Sequence, residues 1–276
     1  MAGRDEGIMA IADWIEIGRM DELGRMDTPV HRLDARAKAI ATLAFVVVVM
    51  SFPRREVSAL MPLFLYPLSL LSLGRIPAGL ILRKLLVAAP FAIVIGMFNP
   101  LLDREPVAAV GAVVITGGWL SFASILLRFV LTVVSALALV ACTGMYRLGA
   151  GLQQLGLPRV FAVQLLFLYR YLFVVADEGS RMMRGVELRS AGKTSLGLRV
   201  YGPLVGHLLL RSMARSERIH QAMVSRGFDG QIRMTRRTAF RPRDWAFVGG
   251  WIAFFAAARA WNLADGLGRL LTGRTL

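Results

Sequence analysis

From Trp119 to Cys142 the chain runs for 24 residues with a single charge, Arg128. A bilayer core of about 30 Å is crossed by about 20 helical residues, so this run reads as a membrane-crossing helix. Other apolar runs flank it: Ala39 to Phe52, Val57 to Leu73, Leu85 to Leu102 and Trp245 to Trp261. Composition agrees, because only 18% of the 276 residues are charged, against about 25% in soluble proteins. The expected class is all-α, a polytopic membrane protein with about five transmembrane helices. Val107 to Gly118 is apolar but short and glycine-rich, which suits a re-entrant or interfacial piece more than a full span. The first 30 residues offer no clean apolar stretch of signal-peptide type. Ile8, Ile11, Trp14 and Ile15 there share one helical face, consistent with an interfacial helix or with a loosely ordered terminus.

The breaks between runs carry charge. His31 to Lys38 precedes the first run, whose start reaches back among Arg and Lys able to snorkel. Gly74–Arg75–Ile76–Pro77 ends the second, and Arg83–Lys84 leads into the third, which has Asn99–Pro100 near its end. The net charge is +15, and Thr143 to Arg243 holds 17 Lys/Arg against 5 Asp/Glu. Lys/Arg bias marks the cytoplasmic side. Five spans with the N-terminus inside put His31–Lys38, Arg75–Lys84 and Thr143–Arg243 together on that side, with Pro53–Arg54–Arg55–Glu56 a mild exception. Three parts follow: 1–142, an N-terminal segment and four spans; 143–243, a cytoplasmic region; and 244–276, the last span and a tail. The expected location is the inner (plasma) membrane, multi-pass.

The cytoplasmic region reads as three helices, Met145 to Leu155, Arg159 to Ser190 and Tyr201 to Arg226. Within it Arg181–Ser190 overlays Arg218–Gly227 without a gap. Residues three, four and seven apart share a helix face, so Met182, Gly185, Val186 and Arg189 form one stripe. Ile219, Ala222, Met223 and Arg226 form another. Each stripe is apolar and then delivers one guanidinium at a helix end. Two readings stand side by side. Arg near a helix C-terminus followed by Gly complements the macrodipole and caps the helix. A repeated Arg end equally suits two similar partners, since Arg is the residue for bidentate recognition at interfaces.

Other chemistry is not indicated. Gly192–Lys193–Thr194 resembles the tail of a phosphate loop, but Glu187 stands where its first glycine belongs and no strand precedes it. His31, His207 and His220 have no metal-ligand spacing, and Cys142 is the only cysteine. No nucleophile and base stand in recognisable spacing, and the aromatics of the basic region fall in its apolar part, which argues against nucleic acid. No catalytic residue, metal ligand or cofactor is expected.

The segment SERIHQAMVSRGFDG (Ser216–Gly230) closely resembles a signature of the transmembrane T component of energy-coupling factor (ECF) transporters, nearest to the cobalt-type CbiQ branch. Arg36 and Lys38 in HRLDARAK, Tyr169–Arg170–Tyr171 and Asp177–Glu178 resemble other parts of that family, and the likeness spans about His31 to Gly230. It implies a non-catalytic scaffold whose two crossed coupling helices end in Ala-Arg-Gly motifs, each docking one ATPase. By position the second motif is Ser225–Arg226–Gly227, and the first is Leu188–Arg189–Ser190, which keeps only the Arg. The implied partners are two ATP-binding cassette subunits (CbiO-like), a substrate-binding membrane subunit (CbiM-like), optionally a small CbiN-like accessory, and the lipid bilayer. The implied cargo is cobalt, or nickel; a T subunit for a vitamin is the alternative. A stand-alone secondary transporter would call for repeats among the spans, and a lipid-modifying enzyme for a carboxylate or histidine cluster.

Overall fold

The computed structural model describes residues 23–24, 26–53, 57–102, 106–110, 113–189, 198–230 and 239–260. The N-terminal interfacial helix, Ser190, Gly192–Lys193–Thr194 and most of the Pro53–Glu56 turn lie outside the described residues. The chain forms two compact units, one of residues 23–144 with 238–276, the other containing 145–237.

The first unit begins with helix α1, Ala35–Ser51. Asp34 caps it: its carboxylate accepts from Arg36 N at 2.8 Å, and the Arg36 guanidinium returns to both Asp34 oxygens at 3.1 Å. The Asp34 N–H donates in turn to Asp244 Oδ1 at 2.8 Å. Asp244 lies in the first turn of the last helix of this unit, Pro242–Ala260, and its other oxygen accepts from Arg241 N at 2.8 Å. That is the reciprocal half of a capping box, with proline at the first helical position. One pair of carboxylates therefore fixes two helix starts together.

Lys38 does not snorkel. It is 1% exposed and donates from Nζ to the carbonyl of Cys142 at 2.8 Å, near the end of the helix Gly117–Thr143. The last carbonyls of a helix have no intrahelical donor and carry partial negative charge, so a buried ammonium is well placed there. One turn on, Thr42 donates to Lys38 O, which leaves the Tyr66 hydroxyl to donate to Thr42 at 2.7 Å. The Tyr66 ring packs against Phe45, Trp251 and Phe255 with centroids 4.8, 4.9 and 5.4 Å away. This aromatic knot, closed at one end by Thr42 and Lys38, is the core.

The run expected as one second helix is two pieces, a 3-10 segment Ser58–Phe64 containing Pro62, then α2, Leu65–Gly74. Proline cannot donate a backbone bond and interrupts a continuous α-helix. After α2 the left-handed position is taken by Arg75 (φ 51°), although Gly74 stands next to it. Gly74 serves another need: a Cβ there would lie 2.8 Å from Cys142 Sγ. Helix α3, Ala78–Leu102, starts earlier than expected and takes in Arg83–Lys84. Strand β1 (Pro106–Val110) pairs antiparallel with β2 (Val113–Thr116), a small extended element among otherwise helical described elements. Helix α4, Gly117–Thr143, follows. Its Arg128 donates to the carbonyls of Phe52 and Pro53 at 3.1 and 2.7 Å, just past the end of α1, so the one charge in the longest run serves a helix terminus.

The second unit holds α5 (Met145–Gln154), α6 (Arg159–Arg189) and α7 (Leu198–Ser225). Gly156 (φ 108°) closes α5. Gly149 admits Leu166 against α5, with its hypothetical Cβ 3.0 Å from Leu166 Cδ2. The helix Pro242–Ala260 of the first unit is α8. The chain is thus an all-α membrane protein apart from the strand pair. Among the described residues, three segments are long and apolar enough to cross a membrane: Ala78–Pro100, Gly117–Thr143 and Arg159–Arg189. The third was expected to be cytoplasmic. The run from Trp245, expected as the last span, lies in α8, which carries Arg243, Asp244 and Arg259 and is not among the three.

Candidate functional site: two arginine-bearing helix ends

Helix α7 stops because the backbone turns left-handed at Gly227, φ 78°. The Phe228 N–H then reaches Met223 O at 3.0 Å and the Gly227 N–H reaches Val224 O at 2.9 Å. This 6→1 and 5→2 pair is the Schellman closure. Arg226 stands at the capping position, and its own N–H bonds Met223 O at 3.0 Å. The carbonyls of Met223 and Val224 are therefore satisfied by main-chain donors, and the guanidinium is not needed for them. It is exposed, and among the described residues it makes no ion pair or side-chain hydrogen bond. Ser225, beside it, donates its hydroxyl to Gln221 O at 2.9 Å.

Phe228, which sequence reasoning passed over, fixes this end. Its ring lies 6.4 Å from that of Phe167 on α6. An apolar residue directly after the closing glycine is the available signal, since that position often packs back on a helix. Farther along, Glu178 of α6 meets Arg211 of α7 in an ion pair, and Arg181 shares the same carboxylate at 3.5 Å. Gly179 faces Leu208, with 3.5 Å to its hypothetical Cβ. As α6 numbers rise from Phe167 to Gly179, their α7 partners fall from Phe228 to Leu208, so the two helices run in opposing senses.

Arg189 consequently stands far from Arg226. At about 1.5 Å per residue, α6 carries it about 33 Å beyond Phe167. It is the last residue of α6 and exposed, and Leu188 beside it is 86% exposed. Arg189, like Arg226, has no ion pair or side-chain hydrogen bond among the described residues. The stripes leading to the two ends are largely half-buried as their spacing required: Met182, Gly185 and Val186 on α6, Ile219 and Met223 on α7, with Ala222 exposed. The structure thus places the two arginines at opposite ends of one helix pair instead of gathering them into a single site. Among the described residues no cluster of three or more His, Cys, Asp or Glu could hold a metal ion.

Comparison with known proteins identifies the family. The family model for CbiQ, cobalt transport protein, matches residues 26–236. The ECF transporter transmembrane protein EcfT of Listeria innocua is 27% identical over 79% of this chain and 86% of its own length. EcfT of Heliobacterium modesticaldum is 26% identical over 87% and 95%. The nickel permease LarQ of Lactiplantibacillus plantarum is 34% identical, over about a third of each chain. With a family model covering three-quarters of its length and whole-chain likeness to EcfT proteins, this chain belongs to the CbiQ/EcfT family, the transmembrane components of ECF transporters.

Proposed function

We propose that this chain is the scaffold that couples two ATPase subunits to a substrate-binding membrane subunit in an importer of cobalt or nickel. The family supplies the coarser statement, a transporter membrane component that works with ATPase and substrate-binding subunits and is generally non-catalytic. One observation supports the finer reading. The backbone alone closes α7, so Arg226 is exposed and unengaged where a cap would have engaged it. A guanidinium held so can fork onto a carboxylate or carbonyls of a docked protein. Arg189 with Leu188 and Ser190 forms the second docking end. Separation of the two arginines suits two partners, one at each end, over one partner gripping both. ATP-driven approach of the two ATPases then displaces α6 and α7, and rigid helices pass the shift to the substrate subunit. The chain itself hydrolyses nothing.

The choice of metal rests on the family description and on the nickel permease similar to part of the chain. Uptake of radiolabelled cobalt and nickel tests it, in cells lacking their own importers and supplied with this chain, its ATPases and its substrate subunit. Metal uptake that needs the ATPases is expected. Uptake by this chain alone, or of a vitamin instead of either metal, contradicts the proposal.

A further inference from the structure

Between α6 and α7, at the level where Glu178 meets Arg211, lies a groove of about 250 Å³ with apolar and cationic lining. Its lining includes Val174, Val175 and Glu178 from α6 and Leu208, Arg211, Arg215 and Arg218 from α7. The arginines are spaced to share one helix face. Arg211 is occupied by Glu178, whose carboxylate Arg181 also reaches. Arg215 and Arg218 have no carboxylate partner among the described residues. The groove therefore carries two uncompensated positive charges beside an apolar surface.

That apolar surface continues. Leu168 and Phe161 stand seven and fourteen residues before Val175 on the same face of α6, and they are 63% and 64% exposed. At 1.5 Å per residue the stripe from Val175 to Phe161 is about 21 Å long, close to one extended acyl chain. It runs along a helix long and apolar enough to cross a membrane. A cationic pocket opening onto such a stripe matches a ligand with an anionic head and an apolar tail.

We propose that this groove binds an anionic phospholipid, its phosphate held by Arg215 and Arg218 and an acyl chain laid along Val175, Leu168 and Phe161. Arginine pairs grip phosphate oxygens through charge-assisted hydrogen bonds, and basic pockets beside membrane helices suit anionic headgroups. The lipid would bridge the two coupling helices at the level where Glu178 meets Arg211. The site contains neither Arg189 nor Arg226, so it stands or falls apart from the docking proposal.

The test is native mass spectrometry of the detergent-purified full chain, titrated with phosphatidylglycerol and, separately, phosphatidylcholine. Wild type should bind one phosphatidylglycerol at least ten-fold more tightly than phosphatidylcholine. R215Q/R218Q should lose that preference at unchanged thermal stability, both side chains being exposed. L168S should weaken phosphatidylglycerol binding with the arginines intact. Equal binding of the two lipids by wild type overturns the proposal, as does full retention of the preference by R215Q/R218Q. Displacement by millimolar inorganic phosphate with no effect of L168S would make this a free-anion site, and preference for an acidic peptide over phosphatidylglycerol a protein site; either result overturns the lipid assignment.

Discussion

Arg226 and Arg189 occupy matching places in two ten-residue segments that overlay without a gap, yet the chain finishes the two ends differently. At Arg226 the helix is closed by Gly227 and by two main-chain hydrogen bonds, and Phe228 just beyond packs its ring against Phe167. At Arg189, the last described residue of α6, Leu188 is exposed and the sequence continues with Ser190 where the other segment has glycine. The difference teaches that the motif repeats its charge without repeating the glycine that closes α7. A guanidinium on a helix end fixed as Arg226 is loses little freedom on docking.

The largest effect separates docking from capping at Arg226. Lysine keeps the positive charge at the helix C-terminus but not the planar fork. Arg226→Lys should weaken ATPase binding about ten-fold, or about 1.4 kcal/mol, with thermal stability unchanged. Isothermal titration and a melting curve read the two quantities. Full affinity in the lysine variant would return Arg226 to the role of a helix-end charge.

Next comes the closure itself. An alanine at φ 78° costs about 1–2 kcal/mol, so Gly227→Ala should fray the end of α7 and weaken docking several-fold. The same substitution in the other segment should act in the opposite direction. Gly185 is interior to α6, with open space around its hypothetical Cβ, so Gly185→Ala should stabilise by about 0.5–1 kcal/mol. Amide hydrogen exchange at each helix end measures both. Destabilisation by Gly185→Ala would mean that α6 needs this interior glycine as α7 needs Gly227.

The smallest effect concerns the ion pair between the helices. Glu178 is half-buried, but Arg211 and Arg181 are mostly exposed, so Glu178→Gln should cost well under 1 kcal/mol and fade as salt rises. A salt-independent loss of several kcal/mol would show that the pair, and not the apolar packing near Gly179 and Phe167, holds α6 to α7.

Much of this was legible in the sequence because periodicity and punctuation are local. The long runs became α3 and α4, Gly156–Leu157–Pro158 ended α5, and Gly227 ended α7, as residue type alone suggested. What the sequence hid depends on contacts far apart in the chain. Lys38 looked like a snorkelling surface charge until α4 brought the Cys142 carbonyl to it. Gly74 looked like a helix stop, but it is small for the sake of Cys142, and Arg75 takes the left-handed position instead. Arg128, alone in an apolar run, gave no hint that it would bind the chain just past α1. The strand pair β1–β2 escaped because short apolar segments do not reveal helix or strand by periodicity. At the site itself, the arginine stripes were visible from spacing, while the separation of their ends required knowing that α6 and α7 run in opposing senses.

The central claim is that each arginine end docks an ATPase, and co-purification tests it most directly. Wild type, Arg189→Ala, Arg226→Ala and the double variant would each be drawn from membranes with the ATPases and substrate subunit co-expressed. Removing one partner of a buried charged pair typically costs about 2–5 kcal/mol. Recovery of the ATPases should therefore fall in steps, further for Arg226→Ala than for Arg189→Ala, and vanish in the double variant while the substrate subunit is retained. Undiminished ATPase recovery and coupled hydrolysis in the double variant would contradict the claim, leaving both arginines as helix-end charges and the coupling contacts elsewhere on the chain.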